Sequence, residues 1–226
     1  MNRYAIIVAG GSGTRMGAEI PKQFLSLGNA PILMHTIKRF SGFSDKIHII
    51  VVLPAEQIDR WKQLCTKYQF NIPHLIVPGG KTRFESVRNG LNSIQDNDKA
   101  VVAIHDGVRP FISKKILQNS YTSAEQLGNA VVSVPLKDSI RKIEKGKNTA
   151  VDRSMHRIMQ TPQTFLLSTI TKAFSVEESP LFTDDAAVAE AAGAKINLID
   201  GSYENIKITT PEDLALAEAM LKKFEF

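Results

Sequence analysis

The stretch Tyr4-Ala5-Ile6-Ile7-Val8-Ala9-Gly10-Gly11-Ser12-Gly13-Thr14-Arg15-Met16-Gly17 sets the architecture. An apolar run from Tyr4 to Ala9 opens into a loop with four glycines in eight residues. Glycine lets the backbone turn tightly and brings N–H groups against phosphate oxygens. With Arg15 inside the loop and Lys22 just beyond it, the pattern predicts a phosphate site at the carboxyl end of a first strand. A turn that merely needs positive φ would explain a glycine pair, but not four glycines flanked by cations. Two common nucleotide loops do not fit. From Gly11 the spacing is G-x-G-x-x-x-G, not the G-x-G-x-x-G of dinucleotide-binding folds, and Gly17 is followed by Ala18-Glu19 where a P-loop carries Lys and Ser or Thr.

Outward from this stretch, apolar runs alternate with helical patterns. Tyr4–Ala9, Ile47–Leu53, Leu75–Val77, Ala100–Ile104 and Ala130–Val134 read as strands, and their nearly unbroken apolar character suits strands covered on both faces. Pro31 suits a first helical position, followed by Leu33, Ile37 and Phe40 at helical spacing. Ile58, Trp61, Leu64, Cys65 and Tyr68 form a second stripe. Thr82-Arg83-Phe84-Glu85 matches a capping box ahead of Val87, Leu91 and Ile94. Ser113 caps a pattern carrying Ile116, Leu117, Tyr121 and Leu127. Thr210-Pro211-Glu212-Asp213 starts a last helix, with Lys222 and Lys223 expected in its final turn. The fold class expected is α/β, a three-layer sandwich with a mostly parallel, Rossmann-like sheet. Ser139–Met155 breaks the alternation and reads as a protruding β-hairpin arm, turning at Lys145-Gly146-Lys147-Asn148. An exposed two-stranded ribbon is marginal alone, so the arm is expected to meet a second copy of the chain.

The 226 residues suit one domain, and a chain of that length buries roughly 70–75% of its unfolded surface without disulfides or structural metal. Cys65 is the single cysteine, which fits a reducing, cytoplasmic compartment. The run Ala5–Ala9 is too short for a signal-peptide core or a membrane span, so no membrane association is expected. The net charge of +5 favours anionic partners. Phosphorylated metabolites satisfy it without nucleic acid, for which the chain offers no basic run of five and no aromatic-rich basic stretch.

Seven motifs now stand in order along the chain. They are the glycine loop with Pro21-Lys22-Gln23, Gly79-Gly80-Lys81-Thr82-Arg83-Phe84-Glu85-Ser86-Val87, His105-Asp106-Gly107-Val108-Arg109-Pro110, Val151-Asp152-Arg153, Gln160-Thr161-Pro162-Gln163, Phe182-Thr183-Asp184 and Asn205-Ile206-Lys207-Ile208-Thr209. Together they resemble the signature of the sugar-phosphate nucleotidyltransferases, specifically the cytidylyltransferases. The resemblance implies a single nucleotidyltransferase domain over residues 1–226, a homodimer with its dimerisation arm at about 137–157, and transfer of a cytidylyl group from CTP to a polyol phosphate. Mg²⁺, bound mainly through the CTP phosphates, is the implied cofactor.

By the same resemblance Arg15 and Lys22 are the catalytic pair that stabilises the transition state. Ala9, Gly10, Gly11, Ser12, Gly13, Thr14, Gly80, Arg83, Ser86, Asp106 and Gly107 are the nucleotide-binding set, with Gly80 and Ser86 at the cytosine. Arg109, Arg153, Thr161, Thr183 and Lys207 are the polyol-phosphate set, Arg153 reaching in from the partner subunit. Several alternatives stay open. Asp106 could contact the ribose, hold the metal through water or simply pair with Arg109; Arg83 and Arg109 could be structural; Arg153 could pair with Asp152 or Glu144. Lys81 stands where some family members carry an acidic residue, which leaves the cytosine contacts undefined. His35, His48, His74, His105 and His156 show no ligand spacing.

The chemistry agrees with the cationic motifs. A phosphate monoester has a second pKa of about 6, so at neutral pH it is mostly a dianion and needs no general base. The enzyme must hold two mutually repelling anions in line and stabilise the charge that develops. By the same resemblance, the Arg-Phe-Glu-Ser-Val helix start and the Val-Asp-Arg arm stand closer to family members that take a methylerythritol phosphate than to those that take ribitol 5-phosphate. A non-catalytic nucleotide-binding module would be expected to lose Arg15, Lys22, Arg153 or Lys207, and all four are present.

Overall fold

Strands that are apolar on both faces are stable only between two helical layers, and that is the arrangement in the computed structural model, which describes residues 1–11, 20–96 and 100–224. The chain runs through β1 (Asn2–Val8), β2 (Ser26–Leu27), β3 (Ala30–Pro31), α1 (Ile32–Ser41), β4 (Ile47–Leu53), α2 (Ile58–Lys67), β5 (Leu75–Pro78) and α3 (Arg83–Asn92). It continues through β6 (Ala100–Asp106), α4 (Lys114–Leu127), β7 (Asn129–Pro135), β8 (Ile140–Glu144), β9 (Lys147–Val151) and β10 (Arg157–Leu166). The last elements are α5 (Leu167–Ala173), α6 (Asp185–Ala191), β11 (Leu198–Asp200) and α7 (Pro211–Leu221).

Among the described residues the main sheet has seven strands in the order β11-β7-β10-β6-β1-β4-β5. β10 runs antiparallel to both its neighbours, and the other pairings are parallel. Alternation along the strands separates two cores. Ala5, Ile7, Ile49 and Val51 pack with Leu33, Trp61 and Tyr121 under α1, α2 and α4. Ile6, Ile50 and Val52 pack with Val87, Ile170 and Val188 under α3, α5 and α6. A third cluster sets Leu27 and Ile32 against Val108, Ile208 and Ala217 of α7. The three-layer expectation therefore holds.

Several local expectations shift. Pro31 ends β3 and serves as N-cap of α1 instead of lying inside the helix. Thr82 does cap α3 by accepting from the Glu85 N–H at 3.1 Å, but the Glu85 carboxylate accepts from the Lys81 N–H instead of closing the box on Thr82. The full capping box forms at α7, between Thr210 and Asp213. Lys222 is the C-cap of α7 and Lys223 lies beyond it. The hairpin is present: among the described residues β8 and β9 pair only with each other, and they turn through Lys145 and Gly146, both at positive φ, the conformation a two-residue turn of this kind requires.

Gly90 sets how closely α3 approaches the sheet, since a Cβ there would lie 2.9 Å from Ile6 Cγ2 and 3.1 Å from Val52 Cγ2. Gly90→Leu overpacks this contact, and the expected cost is about 1–3 kcal/mol or more. Thermal unfolding should show it as a midpoint drop of roughly 2–4 °C per kcal/mol. An unchanged midpoint would mean that α3 packs with room to spare.

Candidate functional site

The register of the sheet brings the motif ends together. Val8 pairs with Asp106 on one side and with Val52 on the other, so β1, β4 and β6 end level. Their exits are tied by backbone bonds: Ala9 N–H to Val52 O at 2.9 Å, Gly107 N–H to Val8 O at 2.8 Å, and Gly79 N–H to Leu53 O at 2.7 Å. The chain leaves β1 toward β4 while β6 lies on its other side, which is a topological switch point, where open α/β sheets bind ligands.

A cleft opens at this edge. Ala9, Gly10, Gly11 and Lys22 line one wall, Gly80, Lys81, Arg83 and Ser86 another, and Asp106 and Lys207 the floor and far side. Ser12, Gly13, Thr14 and Arg15 lie outside the described residues. Lys22 stands on the short 3-10 turn Lys22–Phe24, and its stem passes so near Gly11 that a Cβ there would meet Lys22 Cε at 3.2 Å. Beneath it Gln23 is buried and donates to Ala9 O and Gln57 Oε1, both at 2.7 Å. That anchor ties the Pro-Lys-Gln segment to the end of β1.

Asp106 is the electrostatic centre. Its Oδ2 accepts from Arg109 Nε at 3.0 Å and meets Lys207 Nζ at 3.1 Å, and Arg83 Nε stands 4.0 Å from Oδ1. Burial works against its charge, yet Lys207, Arg83 and Arg109 hold the carboxyl well below the usual aspartate range. Arg83 in turn grips Asp185, a fully buried residue of α6, through two parallel bonds of 2.6 Å. Burial opposes the guanidinium charge, but Asp185 and Asp106 outweigh it and raise the Arg83 pKa. Arg109 also donates to Asn205 O at 2.8 Å, fixing the segment that carries Lys207.

Other expected residues are placed differently. Thr161 is buried, and its hydroxyl accepts from the Asp106 N–H at 3.0 Å and meets His105 Nδ1 at 3.1 Å, so it supports the cleft from below. His105 is fully buried, and burial pushes its pKa down to about 4, which leaves a neutral structural ring at neutral pH. Ser86 accepts from the Gly80 N–H at 3.1 Å and donates to Thr82 O at 2.8 Å. Gly107 packs against Ala9 and Leu33, where a Cβ would come within 3.0 Å of Ala9 Cβ. Thr183 is exposed on the approach to α6, and Arg153 lies at the base of the arm, where its guanidinium donates to Lys137 O. Neither lines the cleft within one chain. Arg153 pairs with neither of the acids expected, since Asp152 caps Ser154 and Glu144 pairs with Lys142. Gln23, Asp185 and Asn205 are the supporting residues that motif reading passed over; each sits within a quoted motif or one residue beyond it.

A hard divalent cation takes about six oxygen ligands. Among the described residues no group of three His, Cys, Asp or Glu side chains is disposed to hold one. Among the described residues the cleft lining offers the single carboxylate of Asp106, already occupied by cations. This donor set fits a metal that arrives on phosphate oxygens and keeps its waters.

Comparison with known proteins follows the same geometry. The family model for 2-C-methyl-D-erythritol 4-phosphate cytidylyltransferase matches residues 4–223. A protein of that name from Bacteroides fragilis is 45% identical over 221 residues, covering 98% of this chain and 100% of its own. Another from Porphyromonas gingivalis is 46% identical over 220 residues, 97% of each chain. The crystal structure of 4-diphosphocytidyl-2C-methyl-D-erythritol synthase from Anaerococcus prevotii superposes with a TM-score of 0.82 at 28% identity, covering 97% of this chain and 96% of that one.

Replacing Asp106 by Asn should leave Lys207, Arg109 and Arg83 facing an uncharged group, at a cost of about 3–5 kcal/mol. Because the folded-state pKa is depressed, the stabilisation is present above the unfolded aspartate value of about 3.9 and is lost as pH falls below it. Urea midpoints of the two proteins should therefore differ most at pH 6–7 and converge in acid. A gap that stays constant into acid would deny the ion-pair origin.

Proposed function

The chain belongs to the 2-C-methyl-D-erythritol 4-phosphate cytidylyltransferase family, and from that membership we propose how its cleft works. The protein transfers a cytidylyl group from CTP to 2-C-methyl-D-erythritol 4-phosphate, giving 4-diphosphocytidyl-2-C-methyl-D-erythritol and pyrophosphate in non-mevalonate isoprenoid biosynthesis. The observation that carries this reading is the full-length family match laid over a cation-lined cleft at the switch point of the sheet.

The acceptor phosphate is its own nucleophile. One of its oxygens attacks the α-phosphorus, the bond to the β-phosphate oxygen breaks, and pyrophosphate leaves with that electron pair. The cleft's task is to bring the anions together and to offset charge on the transferring and leaving phosphates. Lys22 faces the triphosphate, and family membership assigns Arg15 as its catalytic partner. Lys207, steadied by Asp106 and by the Arg109–Asn205 bond, receives the acceptor phosphate with Arg109 beside it. Gly10, Gly11, Gly80 and Ser86 flank the nucleoside, and Arg83 holds that wall to α6. Mg²⁺ would enter on the triphosphate, supplying further neutralisation of the phosphate oxygens, and Asp106, the one carboxylate lining the cleft among the described residues, would be the group to face its waters.

The second substrate contact reaches across a dimer. Among the described residues the β8–β9 ribbon pairs with no other strand, and it exposes Ile143 and, just past its end, Met155. Such a ribbon gains from packing on a second copy, which would carry Arg153 to the partner's acceptor site. The family's biosynthetic role, the single cysteine, and the fact that no described helix is long and apolar enough to cross a membrane support a cytoplasmic assignment.

Purified protein with CTP, Mg²⁺ and methylerythritol phosphate should release pyrophosphate, and ribitol 5-phosphate should be a poor substitute. Absence of pyrophosphate with every acceptor would remove the transferase reading. Lys22→Ala should lower kcat by about 100-fold with folding retained, and a near-normal rate would take Lys22 out of the chemistry. Arg153→Ala should raise KM for the polyol phosphate while CTP affinity holds; a loss of CTP affinity instead would place Arg153 at the other anion.

A further inference from the structure

Lys22 is carried by a turn too short to fix its own direction. Residues Lys22–Phe24 make a single 3-10 turn, closed by Phe24 N–H on Pro21 O at 2.8 Å and Leu25 N–H on Lys22 O at 3.1 Å. Hydrogen bonds in such turns have poor geometry, so the packing around them sets their orientation. Here that packing comes from α2 and from the 3-10 turn Ala55–Gln57 that leads into it. This part of the chain carries none of the seven motifs.

Two contacts join the turns. Gln23 is buried, and its amide has two protons to place. One goes to Ala9 O and the other to Gln57 Oε1, each at 2.7 Å, while Gln23 Oε1 has no partner among the described residues. The amide is oriented by those two donor bonds. Gln57 occupies the N-cap position of α2, yet its side chain does not cap the helix and turns to Gln23 instead. Four residues on, at the spacing that shares a helix face, Trp61 stacks on Phe24 with ring centroids 6.0 Å apart and planes 12° apart. Trp61 is fully buried, and its indole N–H donates to His74 Nε2 at 2.9 Å, so the surface under Phe24 is itself fixed.

Resting on the cytidylyl-transfer reading above, we propose that Gln57 is a positioning residue for the reaction, which acts through Gln23 to hold Lys22 against the first glycines of the loop. Its Oε1 keeps the Gln23 amide on Ala9 O, and Ala9 stands two residues before Gly11, beside which the Lys22 stem passes. With no acceptor at residue 57, one buried N–H of Gln23 loses its partner. The amide then turns to find another, and the turn that bears Lys22 shifts with it against the end of β1. Phe24 on Trp61 limits the shift without setting the lysine's reach. A displacement of about 1 Å in a charge that must meet the transferring phosphate can cost up to roughly 100-fold in rate.

Initial rates of pyrophosphate release with CTP, methylerythritol phosphate and Mg²⁺ test this on two variants. Gln57→Met keeps the length of the side chain and removes the acceptor, whereas Gln57→Glu keeps an oxygen at the same reach. Gln57→Met should lower kcat about tenfold and leave KM for methylerythritol phosphate unchanged, and Gln57→Glu should recover most of that loss. Made on top of Lys22→Ala, Gln57→Met should cost nothing further, because its effect runs through Lys22; a merely structural lesion would multiply the two losses. A normal kcat in Gln57→Met, an equal fall in Gln57→Glu, or losses that multiply overturn the role of Gln57 and leave cytidylyl transfer intact. Thermal midpoints should match the unaltered protein, and a Gln57→Met variant that no longer folds overturns the role as well, since the contact would then be structural. An unaltered protein that releases no pyrophosphate sinks both readings.

Discussion

One carboxylate organises the cleft. Asp106 sits where β6 ends beside β1, and a charge so nearly buried would be expelled or neutralised without partners. Arg109, Lys207 and, at longer range, Arg83 supply them. The benefit runs both ways, because three long cationic side chains, each costly to order, converge on one fixed point. Arg83 is anchored again at Asp185 and Arg109 at Asn205, so the ends of α3, α6, β6 and the segment before α7 share one network. Such a network holds positive charge in place before any anion arrives, which is what electrostatic preorganisation requires.

The fold delivers that point through register more than through any local motif. Level strand ends at Val8, Leu53 and Asp106 place the first glycines, the Gly79–Gly80 turn and the acidic centre at one edge. Close backbone approach at Gly107 and Gly90 then lets the loops and α3 settle onto those ends without side chains intervening. A reaction whose nucleophile is already an anion asks for little beyond positioned cations.

Much of this was legible beforehand, and the exceptions have physical reasons. Ile47–Leu53 matched its strand residue for residue because an unbroken apolar run has few other uses. β10 was invisible because Gln160, Thr161, Pro162 and Gln163 interrupt its middle, where the ladder is irregular. Those polar side chains are buried only because Asn205, Asp184 and Asp106 lie opposite to satisfy them. The seven-residue helices α5 and α6 are too short for a readable stripe. Among site residues, Lys22, Gly80, Arg83, Ser86, Asp106 and Lys207 converge as the motifs implied. The partnership of Arg83 with Asp185 spans 102 residues, and no spacing rule within one sequence reaches that far. Thr161 shows the converse: its motif marks it, yet its hydroxyl turns to Asp106 and His105 beneath the cleft.

The ionisation of Asp106 is the most direct measure of the cation network from which the cleft is built. A carbon-13 NMR titration of the Asp106 carboxyl in the free protein should show it still ionised well below the ordinary aspartate value of about 3.9, for as long as the fold persists. The same signal in Lys207→Ala should move back toward that value. A carboxyl that titrates normally in the unaltered protein would mean that Lys207, Arg83 and Arg109 are not held there, and that the positive face of the cleft is not prearranged.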